Sequence, residues 1–304
     1  MNFYVAVTDN RWFEYLSEIK PDEVNFWKPG GGRFSAIQAG ELFLFKLHSP
    51  LNFITGGGFF LRYSQLPLSL AWEAFGEKNG ASDFETFRDA ILSYRNQQED
   101  FGINPMIGCI ILTRPFFFKV NEWIPSPKDW APSIVQGKTY STDTSIGREI
   151  WDKVMERING RHIIEEVGED GPLYGNEYLV KARLGQGSFR VLVTDTYKRQ
   201  CAITQEKTLP VLEAAHIKPV SKSGPYKIKN GLLLRSDLHK LFDLGYMTVT
   251  QDYKVEVSKK IREEYENGRD YYKLHGSSIN LPSDRSYYPS IEYIQWHNEN
   301  IFKG

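Results

Sequence analysis

A chain of 304 residues, 41% hydrophobic and 25% charged, has the composition of a folded globular protein with room for two domains. No apolar run approaches the roughly 18 residues that a membrane span requires, so no membrane partner is expected. The formal net charge of −1 argues on its face against a polyanionic partner, but its distribution reverses that. Residues 1–136 hold 12 Lys/Arg against 15 Asp/Glu, a net −3, whereas residues 181–240 hold 12 against 4, a net +8. A local basic surface of this kind is what phosphate contact needs. Cys109 and Cys201 lie far apart and form no CxxC pair, so neither a structural zinc site nor a disulfide framework is expected. The start, MNFYVAVTDNRWFEYL, lacks a basic n-region and a cleavage site, and a reducing cytoplasm is the simplest expectation.

In chain order, strand-like runs are FYVAV (3–7), ELFLFKL (41–47), NFITGGGFFLRY (52–63) and MIGCIILTRPFFF (106–118). Helical patches lie between them at 69–80 and 83–98, the second with Asp83 as its N-cap and Phe84, Phe87, Ile91 and Leu92 on one face. Strands wrapped around few helices predict a small curved α+β domain of β-barrel type over residues 1–136. Residues 124–146, rich in Pro, Ser and Thr, suit a linker. The stretch 137–160 is therefore read as linker plus the helix REIWDKVMERI (148–158), and 161–304 as a second domain. YLVKARL and FRVLVTDTYKRQC read as strand-like and then helical, with Cys201 a small buried hydrophobe. Near the C-terminus, YMTVTQDYKVEVS predicts a hairpin turning at 251–253, and IEYIQWHNENIF a packing helix; His275 and His297 are assigned structural roles.

The window 216–243, with the strand that leads into it, carries the chemistry. VLEAAHI is a strand candidate, KPVSKSGPYKIK a basic loop, and GLLLRS a second strand. Ser236 is a candidate N-cap for two helical turns, SDLHKLFDLG, closed by Gly245. On that helix His239 and Asp243 stand at i and i+4, share a face, and can ligate one divalent cation. Lys218, Lys222 and Arg235 can grip phosphates.

These residues resemble the HNH (ββα-metal) endonuclease motif over residues 201–250, close to the variant whose signature runs AAHI, NGLLL, LH and FD. The resemblance implies that His216 is the general base that activates water and that Asn230 braces the loop and orients it. It implies His239 as the metal-ligating histidine, with Asp243 where some members carry a second helical ligand. Many members place Asp or His directly before the base, but here that residue is Ala215. Glu213, on the same strand face as Ala215, is a further candidate ligand. The resemblance implies Mg²⁺, which members of the fold with a sparse ligand set tend to use rather than zinc, with Mn²⁺ and Ni²⁺ as alternatives.

Residues 1–136 resemble, by pattern rather than by a sharp motif, the PUA-like superfamily of EVE, ASCH and SRA-type folds. Such domains are small barrels whose pocket reads a modified or flipped base. Trp27, Phe34, Tyr63 and Trp72 can supply stacking; Arg33, Ser35, Asn52 and Thr55 can supply edge contacts. The glycine triplets at 30–32 and 56–58 suit tight turns near a ligand. Together the resemblances imply an α+β modification-dependent restriction endonuclease, acting on double-stranded DNA that carries modified cytosine, as a homodimer, in phage defence. Two other readings stand beside it: an HNH nuclease without modification dependence, such as a ligand-gated effector or toxin, and a non-catalytic nucleic-acid reader.

Overall fold

The computed structural model describes residues 1–95, 104–159, 178–179 and 184–304. The chain divides into two compact units, Met1–Lys181 and Ala182–Gly304.

The first unit is built on one sheet. Its strands are β1 (Asn2–Thr8), β2 (Glu23–Lys28), β3 (Leu42–Leu47), β4 (Phe53–Pro67), β5 (Met106–Phe117), β6 (Ile124–Pro125) and β7 (Gly137–Ser141), in the order β2-β5-β4-β3-β1-β7, with β6 on β4. β1 and β3 run parallel; the other pairs are antiparallel. Both faces are covered, which is why LFLFKL in β3 is apolar at nearly every position. Alternation divides the core accordingly. Phe43, Phe45, Ile110 and Leu112 pack on one face with helix α1 (Asn10–Ile19). Phe3, Val5, Leu42 and Leu44 pack on the other with Ile150, Val154 and Ile158 of a helix over Ser145–Asn159. The helix α1, which the periodicity reading passes over, is capped by Asp9, whose carboxylate accepts from the Trp12 N–H at 3.0 Å.

The sheet curls strongly. Phe26 of β2 and Phe43 of β3 are three strand steps apart in the sheet, about 14 Å if it were flat, yet their ring centroids stand 4.9 Å apart. The curl stops short of closure: among the described residues β2 pairs only with β5, and β7 only with β1, so the expected closed barrel is not formed. A cavity of about 570 Å³ lies along this opening. Residues 137–141, placed in the linker by composition, are the edge strand β7, because Gly137–Ser141 finds an unpaired edge on β1. The glycines at 56–58 sit within β4 rather than in a turn. A Cβ on Gly56 would stand 2.3 Å from the Phe116 carbonyl oxygen, so they serve close strand packing.

The second unit contains two hairpins, β8 (Leu212–His216) with β9 (Gly231–Arg235) and β10 (Met247–Val249) with β11 (Val255–Val257). Three helices matter to the site: a leading helix (Gln186–Thr196), a motif helix (Ser236–Asp243) and a C-terminal helix (Ile291–Asn300). FRVLVTDTYKRQC, which with YLVKARL is read as strand-like and then helical, is helical over Gln186–Thr196 and buried on most of its surface. YLVKARL lies largely outside the described residues. Among the described residues no helix is long and apolar enough to cross a membrane.

Candidate active site

Strand β8 delivers His216, the end of β9 leads directly into the motif helix, and the loop between the strands folds back on both. His216 pairs in register with Gly231. A Cβ at Gly231 would stand 2.4 Å from Val193 and 3.1 Å from Phe189, so glycine here lets the leading helix close on the hairpin. Phe189 then stacks on the His216 ring, with centroids 3.9 Å apart and planes 11° apart, and Tyr226 meets the ring edge-on at 5.0 Å. This enclosure pushes the His216 pKa down to about 4, chiefly through burial and secondarily through the charge of His239. The imidazole is therefore neutral at physiological pH. Its Nε2 is buried and has no hydrogen-bond partner among the described residues, so the ring is held by stacking rather than by a bond at that nitrogen.

Asn230 is fully buried and works as a clamp. Its Oδ1 accepts from the Lys218 N–H at 2.8 Å, and its Nδ2 donates to the carbonyls of Lys218 (2.9 Å) and Pro225 (3.0 Å). Its own carbonyl accepts from the Ile217 N–H at 2.9 Å. Four bonds thus fix the two residues after His216 and the far side of the loop.

The motif helix begins at Ser236, with Arg235 as its capping residue, one position earlier than expected. It ends on Gly245, whose left-handed φ of +77° and N–H bond to the Phe242 carbonyl finish the turn. His239 and Asp243 share a face, with His239 Nε2 and Asp243 Oδ2 3.4 Å apart. On the opposite edge of the ring, His239 Nδ1 meets Glu213 Oε2 at 2.6 Å. Burial raises the Asp243 carboxyl above its ordinary value, opposed by His239 and Lys240 and reinforced by Glu213.

Among the described residues no group of three or more His, Cys, Asp or Glu is arranged as a metal cluster. The His239–Asp243 pair nevertheless fits a divalent cation. Adjacent donors on an octahedral ion at about 2.1 Å stand about 3 Å apart, and two protein donors leave positions for water and phosphate. Ala215 is completely buried and offers no donor.

The proposed phosphate grips differ from one another. Arg235 is held by Asp237 through two bonds of 2.6 and 2.8 Å, so its charge is already committed within the chain. Lys218 lies over the Trp296 ring at 5.4 Å, and Lys222 is exposed. His297 is structural, as expected: its Nε2 donates to the Phe242 carbonyl at 3.1 Å, and its ring stacks on Phe242 at 3.8 Å.

In the first unit, Trp27 and Phe34 line the cavity, together with Tyr4, Phe26, Lys28 and Tyr94. The other residues expected there are not brought to it. Trp72 stacks on Phe87 at 5.9 Å, the Tyr63 hydroxyl donates to the Gly31 carbonyl, and Asn52 accepts from Lys46. Thr55 is buried in β4, and Arg33 and Ser35 point to solvent. The sequence missed Tyr4 and Tyr94 because they come from distant segments that only the curl of the sheet joins.

Residues 201–250 match the HNH endonuclease family. No curated protein matches the chain. Among solved structures, a modification-dependent TagI restriction endonuclease aligns with 12% identity and a TM-score of 0.31 over 87% of this chain. This chain spans 62% of that protein's length, and the likeness is too weak to carry a functional argument. The hairpin, clamp and motif helix coincide with the segment that the family match covers: residues 201–250 are an HNH endonuclease domain.

Proposed function

We propose that the protein is a modification-dependent restriction endonuclease that hydrolyses a phosphodiester of double-stranded DNA with one divalent cation. The observation that carries the hydrolytic half is the neutral, Phe189-stacked His216 ring on the same small scaffold as the His239–Asp243 pair. His216 takes a proton from the attacking water, and the stacked Phe189 holds the ring in place while it does so. Asn230 keeps the strand end and loop from drifting. His239 and Asp243 would hold the cation, read as Mg²⁺ from the family resemblance with Mn²⁺ or Ni²⁺ as substitutes. When bound, it supplies Lewis-acid stabilisation of the charge on phosphate and leaving oxygen.

The first unit is read as the recognition module. Its cavity of about 570 Å³ has room for a flipped base, which requires stacking surfaces and polar edges. Trp27 is fixed there by its indole N–H bond to the Asn79 carbonyl at 3.0 Å, and Lys28 adds a cation. A modified cytosine, phage DNA as the source, and a homodimer supplying one nick per strand complete the reading.

A cleavage panel tests it: unmodified, methylated, hydroxymethylated and glucosylated DNA, each with Mg²⁺, Mn²⁺ and Ni²⁺. Cleavage confined to one or more modified substrates, and lost with chelator, is expected. Equal cleavage of unmodified DNA would remove the modification dependence, and no cleavage of any substrate with any metal would remove the nuclease.

A further inference from the structure

We propose that Glu213 is a positioning residue that sets the tautomer of His239, and that it does not ligate the cation itself. The inference rests on the reading above, in which His239 and Asp243 hold the metal. Glu213 lies on β8, opposite Leu234 of β9, and reaches across to the motif helix. Its Oε2 stands 2.6 Å from Nδ1 of His239, while Asp243 Oδ2 faces Nε2 of the same ring at 3.4 Å. The two carboxylates therefore occupy opposite edges of one imidazole.

An ionised carboxylate only accepts hydrogen bonds. The short contact to Nδ1 consequently requires the proton on Nδ1. In the neutral form, the only one that can ligate a metal, the ring carries one such proton, so Nε2 is left with its lone pair on the Asp243 side. That is the tautomer a metal ligand needs. Metal-binding histidines are commonly held this way, by a carboxylate on the nitrogen that does not bind. With its Oε2 on Nδ1, Glu213 is engaged at the ring nitrogen that Asp243 does not face. Its contribution is orientation and basicity, while Ala215 contributes no donor at all.

The test uses the full-length chain with Glu213→Ala and Glu213→Gln, each checked by circular dichroism. Nitrogen-15 histidine spectra of the metal-free protein report the tautomer, and calorimetric titration with Mn²⁺ reports affinity. Wild type should show His239 protonated on Nδ1. Glu213→Ala should lose that preference and bind Mn²⁺ on the order of 10- to 100-fold more weakly. Glu213→Gln, whose amide oxygen still accepts from Nδ1, should keep the tautomer and recover most of the affinity. An unchanged tautomer in Glu213→Ala would overturn the proposal. So would a Gln variant that keeps the tautomer but binds as weakly as Ala, since that is the behaviour of a lost ligand. His239→Ala and Asp243→Asn provide the separate control: undiminished Mn²⁺ binding by both would overturn the ligand assignment on which the proposal depends.

Discussion

The two units place their chemistry-bearing residues in opposite ways. In the second, Glu213, His216, Asn230, His239 and Asp243 fall within one hairpin and the helix that follows it, and hydrogen bonds and, for His216, ring stacking orient them. In the first, the cavity draws Tyr4, Phe26, Trp27, Phe34 and Tyr94 from separate segments and depends on the curl of a whole sheet. A locally built site is defined by spacing, and a globally built one by topology. Under the proposed function, the first kind would serve hydrolysis of the phosphodiester and the second the choice among bases.

The largest expected effect lies in the locally built site. Removing a general base costs typically 10²–10⁴-fold, so His216→Ala should slow cleavage by about three orders of magnitude. The loss should be equal on every DNA that the wild type cuts, because His216 is assigned to the bond and not to the base. Single-turnover rates on two differently modified substrates check this. A loss confined to one substrate would break the division of labour between the units.

The same contrast explains what the sequence revealed. The strands, the motif helix and its stop at Gly245 follow from alternation, i,i+4 spacing and a residue that accepts φ of +77°. The bracing role of Asn230 is implied by the family resemblance alone, while its partners Lys218 and Pro225 emerge only from the folded loop. The neutralisation of Arg235 by Asp237 was not foreseen, although the two are only two residues apart, because a pairing competes with a phosphate grip that spacing alone cannot weigh. Trp72 shows the limit in the first unit. Its composition suits stacking on a base, but it packs on Phe87 instead, and nothing local to residue 72 distinguishes the two. Closure of the sheet was equally illegible, since it depends on how two edges far apart in sequence approach.

A second prediction probes how the nuclease scaffold is held together. His297 joins the C-terminal helix to Phe242, the neighbour of Asp243, and is only 1% exposed. Burial pushes its pKa down to about 4 from an ordinary 6.5. Between those values the unfolded chain binds a proton that the folded chain refuses, so stability rises with pH through this window. It should be fully present above about pH 6.5 and be lost as pH falls toward 4, by at most about 3 kcal/mol. Denaturant midpoints of wild type and His297→Gln across pH 4–7 measure this, and the variant should show a flatter profile. An identical slope in both would place the acid sensitivity elsewhere.

The smallest expected effect is the one that most sharpens the comparison. Trp27 and Trp72 are both tryptophans of the first unit, but only Trp27 lines the cavity; Trp72 is packed on Phe87. Base–aromatic stacking is worth about 1–3 kcal/mol by alanine substitution. Trp27→Ala should therefore weaken binding of modified DNA by roughly 5- to 150-fold while leaving the maximal cleavage rate at saturating DNA nearly unchanged. Trp72→Ala should instead lower stability and leave the ratio of modified to unmodified binding as it was. Fluorescence anisotropy with matched duplexes separates the two outcomes. Equal loss of discrimination in both variants would mean that general integrity of the unit, not the cavity, sets the choice of DNA. A selective loss in Trp27→Ala would connect the curl of the sheet to recognition, because that curl is what brings Trp27, Tyr4 and Tyr94 to one cavity.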